Sequence, residues 1–504
     1  VRRSRVRCPG GRAFIVGFAL LVLATGSPAA PPPPGSIAVG EATASAGDIR
    51  FHARAVPYRH GSSEARAEFA IRVPYREIKF IPKSDSLFEG LLRVTVEMWN
   101  TGGKRIGYRQ QEARVQVTDL SAAQDSLLGE IYKLGLTARP GRYAYRVTVE
   151  DMNVARIGLV YKMKSQKRQG KVEGDVDMGP WLFRNPALSG IEPAWEITAA
   201  KEGAMFPKGP YDIYPHPSGY YGLLRDEVAG YYEIYDEAPP PEGRSYRVRS
   251  LIVNAQGDSI PTGDDSLRVT EGTAWPHAIS IDASGLAAGH YRLVLEIRRE
   301  GEPGTAVTSS DFDILWSRDS WRAEAADFYD VAASVLLSSE EAVQFRQLSM
   351  GAKEVRIEKA WQDADPSPET AENEARAEFL RRVAYANQHY TIFTPGMFTD
   401  RGRVYIRYGE PDDVKIERMP VAGKTLGYVL DSSIPQASRD AITKPGSGVA
   451  DSRPYEIWTY NSHGREANAR HALNEVASGL KFVFTDEQGY GEYTLRYSST
   501  TGIH

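Results

Sequence analysis

Cysteine is almost absent. The chain of 504 residues has one, Cys8, and it lies ahead of the first apolar run. A lipoprotein cysteine would follow that run, so Cys8 does not read as one. A chain processed after residue 29 would have no disulfide and no thiolate metal site, and its stability would come from ordinary burial. Histidine is scarce, with nine copies. His463 and His471 stand eight apart without a carboxylate at ligand spacing, and read as surface residues. His216, within Tyr214-Pro215-His216-Pro217, reads as part of an exposed Pro-rich loop. No His-Glu-x-x-His or Gly-x-Ser-x-Gly run occurs. Gly423-Lys424-Thr425 lacks the upstream glycine of a phosphate loop, since that place falls on Arg418. The pattern predicts no metal and no cofactor.

What is present begins with an address. Arg2, Arg3, Arg5, Arg7 and Arg12 precede an apolar stretch, Ala13 to Ala24, and Ser27-Pro28-Ala29 supplies small residues. Residues 1–29 read as a secretory signal, with an apolar run too short to span a bilayer comfortably. Removing its five arginines would take the net charge from −4 to −9. An acidic exported chain makes a poor nucleic-acid binder. The basic cluster Lys162, Lys164, Lys167, Arg168 and Lys171 reads as a solvated hairpin tip. The predicted location is the periplasm or the extracellular space, with no integral membrane span after cleavage. Residues 30–39, with Pro31 to Pro34, read as a stiff linker.

The region beyond repeats itself. Arg93-Val94, Asn100, Gly103 and Ile106 recur 154 residues later as Arg247-Val248, Asn254, Gly257 and Ile260. Gly141-Arg142-Tyr143 with Val147 and Val149 recurs 148 residues later as Gly289-His290-Tyr291 with Leu295 and Ile297. Each unit runs a strand into an Asn-x-x-Gly turn, whose residues tolerate positive φ. Later a Gly-x-Tyr turn opens a strand of period two, apolar on Tyr143, Tyr145, Val147 and Val149. The predicted architecture is multidomain: two tandem immunoglobulin-like β-sandwiches, 40–180 and 190–315, followed by an α+β domain over 319–500.

In that last domain, Trp321, Phe328 and Val331 lead a helix to Leu337, and Ser338 with Glu341 forms a capping box. The next helix is expected to carry Val343, Leu348, Val355 and Trp361 inward, with a break at Gly351. Asp365-Pro366 ends it. Asp363, Asp365, Glu369 and Glu372 read as caps, because no glycine-punctuated calcium loop accompanies them. A third helix from Thr370 shows one buried face, Ala375, Phe379, Val383, Ala386 and Tyr390, with Glu378–Arg382 paired on the outer face. Strands follow over Val404–Tyr408, Tyr455–Tyr460, Leu480–Thr485 and Tyr493–Tyr497. A long loop is expected from Val421 to Pro454.

The run Pro395-Gly396-Met397-Phe398-Thr399-Asp400-Arg401-Gly402-Arg403 continues into Val404 to Val414, with Gly409-Glu410-Pro411-Asp412-Asp413. This resembles the GWxTD-domain family of exported bacterial proteins, with Met397 where the motif has Trp. The likeness extends upstream through Trp361, Asp365-Pro366, Thr370, Asn373-Glu374 and Phe379 to Asn387. Downstream it extends through Tyr455-Glu456-Ile457-Trp458 and Tyr460. The resemblance implies no reaction.

Taken as residues, Asp400 can accept backbone N–H bonds and pair with a nearby arginine, while Gly402 permits a sharp turn. A fold-specifying corner accounts for both. The competing reading is a binding cleft of Asp400, Arg401, Arg403, Tyr405 and Glu410 with Asn373 and Glu374. Asp400 and Glu410 would bracket a strand, roughly 20–30 Å apart. Three functions are in view. The chain is foremost a non-enzymatic interaction or assembly protein, partnered by another envelope protein or a polymer. A hydrolase using Asp400 or Glu410 is the second reading. The third is a carbohydrate-binding module stacking sugars on Tyr211, Tyr214, Tyr220, Tyr221, Tyr231, Tyr232 and Tyr235.

Overall fold

A computed structural model describes residues 37–39, 43–119, 121, 128–153, 168–321, 325–392, 394–421, 424–430, 434–442, 452–461 and 479–500. The expected signal segment, Pro31 to Gly35, Lys162 to Lys167, His463 and His471 lie outside them. No helix among the described residues is long and apolar enough to cross a membrane.

The first half contains strands β1 (His52–His60), β2 (Glu64–Pro74), β3 (Leu87–Asn100), β4 (Arg105–Val117), β5 (Gly129–Ala138), β6 (Gly141–Asp151) and β7 (Gln169–Met178). Strands β1, β2 and β5 pair antiparallel in one sheet, and a second runs β4-β3-β6-β7. On β6 the buried and outer residues alternate as period two requires, placing Tyr145, Val147 and Val149 against Phe69 and Ile71 of the opposite sheet in one core.

The second half contains β8 (Glu192–Ala199), β9 (Tyr211–Pro215), β10 (Glu227–Tyr235), β11 (Arg244–Asn254), β12 (Ser259–Val269), β13 (Ala274–Asp282), β14 (Gly289–Arg299) and β15 (Ala306–Leu315). One sheet runs β13-β10-β8-β9, the other β12-β11-β14-β15. The latter repeats the order β4-β3-β6-β7 of the first half. The repeated turns agree in detail. Gly103 N donates to Asn100 O at 2.9 Å and Gly257 N to Asn254 O at 3.0 Å, with φ of 75° and 90° at the glycines. Tyr143 and Tyr291 each donate a hydroxyl four residues back, to Arg139 O and Ala287 O.

Several segments tie the halves together. Ile37–Val39, inside the expected linker, pairs parallel with β15 at Thr308–Ser310. Val56 and Tyr58 of β1 share a small core with Ala194, Ile213 and Tyr231.

The C-terminal region has helices α1 (Ala325–Leu336), α2 (Ser339–Phe345), α3 (Met350–Asp363), α4 (Glu374–Tyr390) and α5 (Asp400–Tyr408), then strand β16 (Asp413–Glu417). Short helices α6 (Leu426–Val429) and α7 (Gln436–Ile442) precede β17 (Tyr455–Tyr460), β18 (Leu480–Asp486) and β19 (Tyr493–Ser498). The four strands form an antiparallel sheet in chain order.

Several expectations need correction here. Val404–Tyr408 is helical, because Thr399 caps a first turn and α5 is wedged between two layers. Arg401, Val404, Tyr405 and Tyr408 recur at helical spacing toward the sheet, while Gly402 and Ile406 face the other helices. Burial on both sides mimics the alternation of a strand. The capping box at Ser338 is present, but the helix ends at Phe345, and Ser349 caps a new one. Val343, Leu348 and Val355 are consequently exposed, whereas Trp361 is buried. Gly351 marks a close approach: a Cβ there would lie 2.2 Å from Gly289 O of β14. Arg382 is buried rather than outward. The Val421–Pro454 stretch holds α6 and α7, and its Leu426, Leu430 and Ile442 pack under Tyr455 and Ile457.

Candidate functional site

The motif run forms the corner where α4, α5 and the sheet meet. Thr399 Oγ1 accepts from Gly402 N at 3.1 Å and donates to Gly396 O at 2.7 Å, closing the turn and capping α5 at once. Gly396 N donates to Thr391 Oγ1 and Met397 N to Asn387 Oδ1, pinning the turn to the end of α4. Contact here is backbone to backbone. A Cβ on Gly396 would fall 1.8 Å from Ala386 O, and one on Gly402 1.8 Å from Gly396 O. Gly402 thus sits inside a helix for close approach, not for a turn.

Asp400 begins α5, and its Oδ2 accepts from Leu495 N of β19 at 2.7 Å. Arg401 turns inward. It donates to Glu456 Oε1 of β17 at 2.8 Å and to Gly491 O at 3.1 Å. Its guanidinium carbon lies 5.0 Å from the Tyr390 ring centre and 4.4 Å from that of Tyr493. Trp458 Nε1 holds the other oxygen of Glu456 at 3.0 Å. Tyr405 stacks on Tyr385 of α4, with centroids 4.3 Å apart and planes 12° from parallel. Burial raises the Tyr390 and Tyr405 hydroxyls above the ordinary phenol value.

The far end of α5 is held by Arg382, which donates to Ile406 O at 3.2 Å and Arg407 O at 3.1 Å. A cation placed on the last carbonyls complements the helix dipole. Glu378 Oε1 accepts from Arg382 Nε at 2.6 Å. Burial alone would raise the Glu378 carboxyl, but Arg381 and Arg382 outweigh it and hold it at about 2. Gly409 ends α5 at φ 79°, and Tyr460 donates to its carbonyl at 3.0 Å.

Of the residues singled out from sequence, Asp400, Arg401 and Tyr405 are part of this corner. Arg403 and Glu410 are exposed. Asn373 caps α4, accepting from Arg376 N and donating to Trp361 O, and Glu374 opens the same helix. Both lie two turns or more along α4 from Arg382, on the side away from Asn387, where the motif turn attaches. Asp400 opens α5 and Glu410 lies just past its end, and the nine-residue helix between them rises about 12 Å. The Glu378–Arg382 pair expected from sequence is present, with Arg382 buried, and the residues missed from sequence are Tyr493 and Leu495. Arg382 carried a readable signal, since it falls within the buried Phe379, Val383, Ala386 stripe.

An open hollow of about 480 Å³ lies beside the corner, with Phe398, Asp400, Glu492, Tyr493 and the exposed Tyr490 on its walls. Elsewhere, His216 is buried, against expectation. Its Nε2 lies 2.5 Å from Tyr220 O, and burial lowers it to about 3. Tyr221, Tyr231, Tyr232 and Tyr235 are also buried, so the tyrosine run forms no exposed platform.

Residues 330–421 match the family model of the GWxTD domain. The chain therefore carries a GWxTD domain; the match spans most of α1 through β16 with the motif turn, and the sheet residues that complete the corner, Glu456, Trp458, Tyr493 and Leu495, lie beyond it. No curated protein matches the chain. Partial similarity to solved structures is distant. Bacteroides uniformis beta-glucuronidase shares 9% identity over 51% of this chain and 26% of its own, with a TM-score of 0.18. A family 123 glycoside hydrolase from Clostridium perfringens gives 11%, 25%, 29% and 0.17, and red sea bream transglutaminase 6%, 53%, 31% and 0.14. The chain spans about a quarter to a third of the length of these proteins.

Proposed function

We propose that this protein is a non-catalytic interaction or assembly protein of the cell envelope or extracellular space. In this reading two immunoglobulin-like sandwiches present surfaces to a partner, and the GWxTD corner locks the helical layer onto the C-terminal sheet. One observation carries the reading: Thr399 Oγ1, Asp400 Oδ2 and both terminal nitrogens of Arg401 are engaged in bonds within the domain. A group that must bind or activate a substrate needs a face left for it.

A second reading, hydrolysis by Asp400, has the adjacent hollow in its favour. The variant Asp400→Ala separates the two. The lock predicts a loss of about 1–2 kcal/mol in unfolding free energy, since Leu495 N loses its acceptor. It also predicts no change in any turnover by the envelope fraction. An envelope polymer consumed by the wild type and spared by an equally stable Asp400→Ala protein would overturn the proposal.

A further inference from the structure

Among the described residues, strand β16 is an edge with a neighbour on one side only, β17. Its sequence is Asp413-Val414-Lys415-Ile416-Glu417. Val414 and Ile416 pair with Trp458 and Glu456, so they lie on the helix-facing side of the sheet, yet the helices do not reach them. They are 40% and 50% exposed, and Met419 just beyond is 82% exposed.

Several other edges among the described residues are guarded. Strand β4 is polar along Arg109 to Glu112, and a bulge interrupts its pairing near Trp99. Strand β12 carries Pro261, Asp264 and Asp265 and faces a bulge at Ser250. Strand β13 contains Pro276. At the opposite edge of the C-terminal sheet, Leu495 N is taken by Asp400. Strand β16 has no proline, glycine or bulge in its register. A regular edge of this kind is a template for another strand.

We propose that β16 joins two copies of this chain, which pair antiparallel through this edge about a two-fold axis at Ile416. The charge pattern selects the occupant and the register. With Ile416 opposite Ile416 of the partner subunit, each Lys415 stands opposite Glu417 of the partner subunit, and the stem of each Arg418 covers Val414 of the partner subunit. Two opposite-charge pairs and a central apolar pair form on a continuous eight-stranded sheet. Centring on Lys415 instead would oppose lysine to lysine and Asp413 to Glu417. Centring on Val414 would set Ile416 against Asp412, which already accepts from Asn461 N. The proposal stands apart from the non-catalytic reading, because turnover would leave it intact.

Sedimentation of the full chain over a concentration series tests it, with hydrogen exchange read at residues 413–417. The expected result is a dimer whose β16 amides gain protection as concentration rises. Glu417→Lys weakens it about tenfold by turning both charge pairs repulsive. Lys415→Glu combined with Glu417→Lys restores it, and Ile416→Lys abolishes it, with unchanged melting in each. The rescue by the double variant keeps the test sound if a single variant is poorly folded. A chain monomeric throughout, a dimer indifferent to Glu417→Lys, or a double variant as weak as the single ones would overturn the proposal.

Discussion

At the seam between the two β units, the buried guest is an acid. Glu192 of β8 is ringed by Lys133 at 2.7 Å, Lys208 at 3.1 Å and the Tyr58 hydroxyl at 2.9 Å. At the motif corner the buried guest is a base, Arg401, held by one carboxylate between two tyrosine rings. Burial would raise the Glu192 carboxyl, yet Lys208 and Lys133 hold it at about 2. An arginine needs no such protection of its charge, as it stays protonated in any ordinary buffer. The seam depends on pH through Glu192 and the neighbouring His216 and His52.

The largest effect should come from breaking the seam. Glu192→Ala leaves Lys208 and Lys133 with Glu68 alone, at 2.8 and 3.8 Å, and is expected to cost about 3 kcal/mol, read by chemical unfolding. Tyr58 at the same time loses its acceptor. The corner should keep its hydrogen-exchange protection in that variant if the two sites are independent.

Acid should separate the sites next. Burial lowers His216 to about 3 and His52, helped by Arg72 and Arg54, to about 4, both below the ordinary 6.5. Both are neutral when folded and would take up protons on unfolding, so their contribution is full above about pH 6.5 and is lost as pH falls toward 3. The depressed Glu192 adds loss of the same sign, below its ordinary 4.5 and down to about 2. Trp195, whose ring centre is 4.9 Å from that of His216, should report this loosening in hydrogen exchange before Trp458 responds. Simultaneous loss at both tryptophans would erase the contrast.

Gly402→Ala tests the corner alone. Its Cβ must displace the Gly396 carbonyl, at an expected cost of about 1–3 kcal/mol in thermal unfolding. The smallest effects belong to the repeated turns. Gly103→Ala and Gly257→Ala each force a left-handed residue and should cost about 1–2 kcal/mol, nearly equally. Unequal costs would mean the two turns are held differently despite their matching bonds.

These contrasts also explain what was legible beforehand. The repeated turns were readable because Asn100 and Gly103 act through local backbone bonds, which spacing alone reveals. The capping box at Ser338 was readable for the same reason. Helix α5 was not, because its residues answer to two layers at once, and a run such as Val404-Tyr405-Ile406 buried on opposite sides imitates a strand. The seam was invisible too. Glu192, Lys133 and His52 come from distant parts of the chain, and nothing local marks a charged residue as interior. Arg401 stood in the motif, but its partners Glu456 and Tyr493 lie far downstream.

The claim at the centre is that the corner is a lock, and a double-mutant cycle on Arg401 and Glu456 addresses it most directly. Unfolding free energies would be measured for Arg401→Met, Glu456→Gln and the combination. The lock predicts single losses of about 3–5 kcal/mol, with much of that loss recovered when both charges are removed together. Single variants that unfold like the wild type would contradict it.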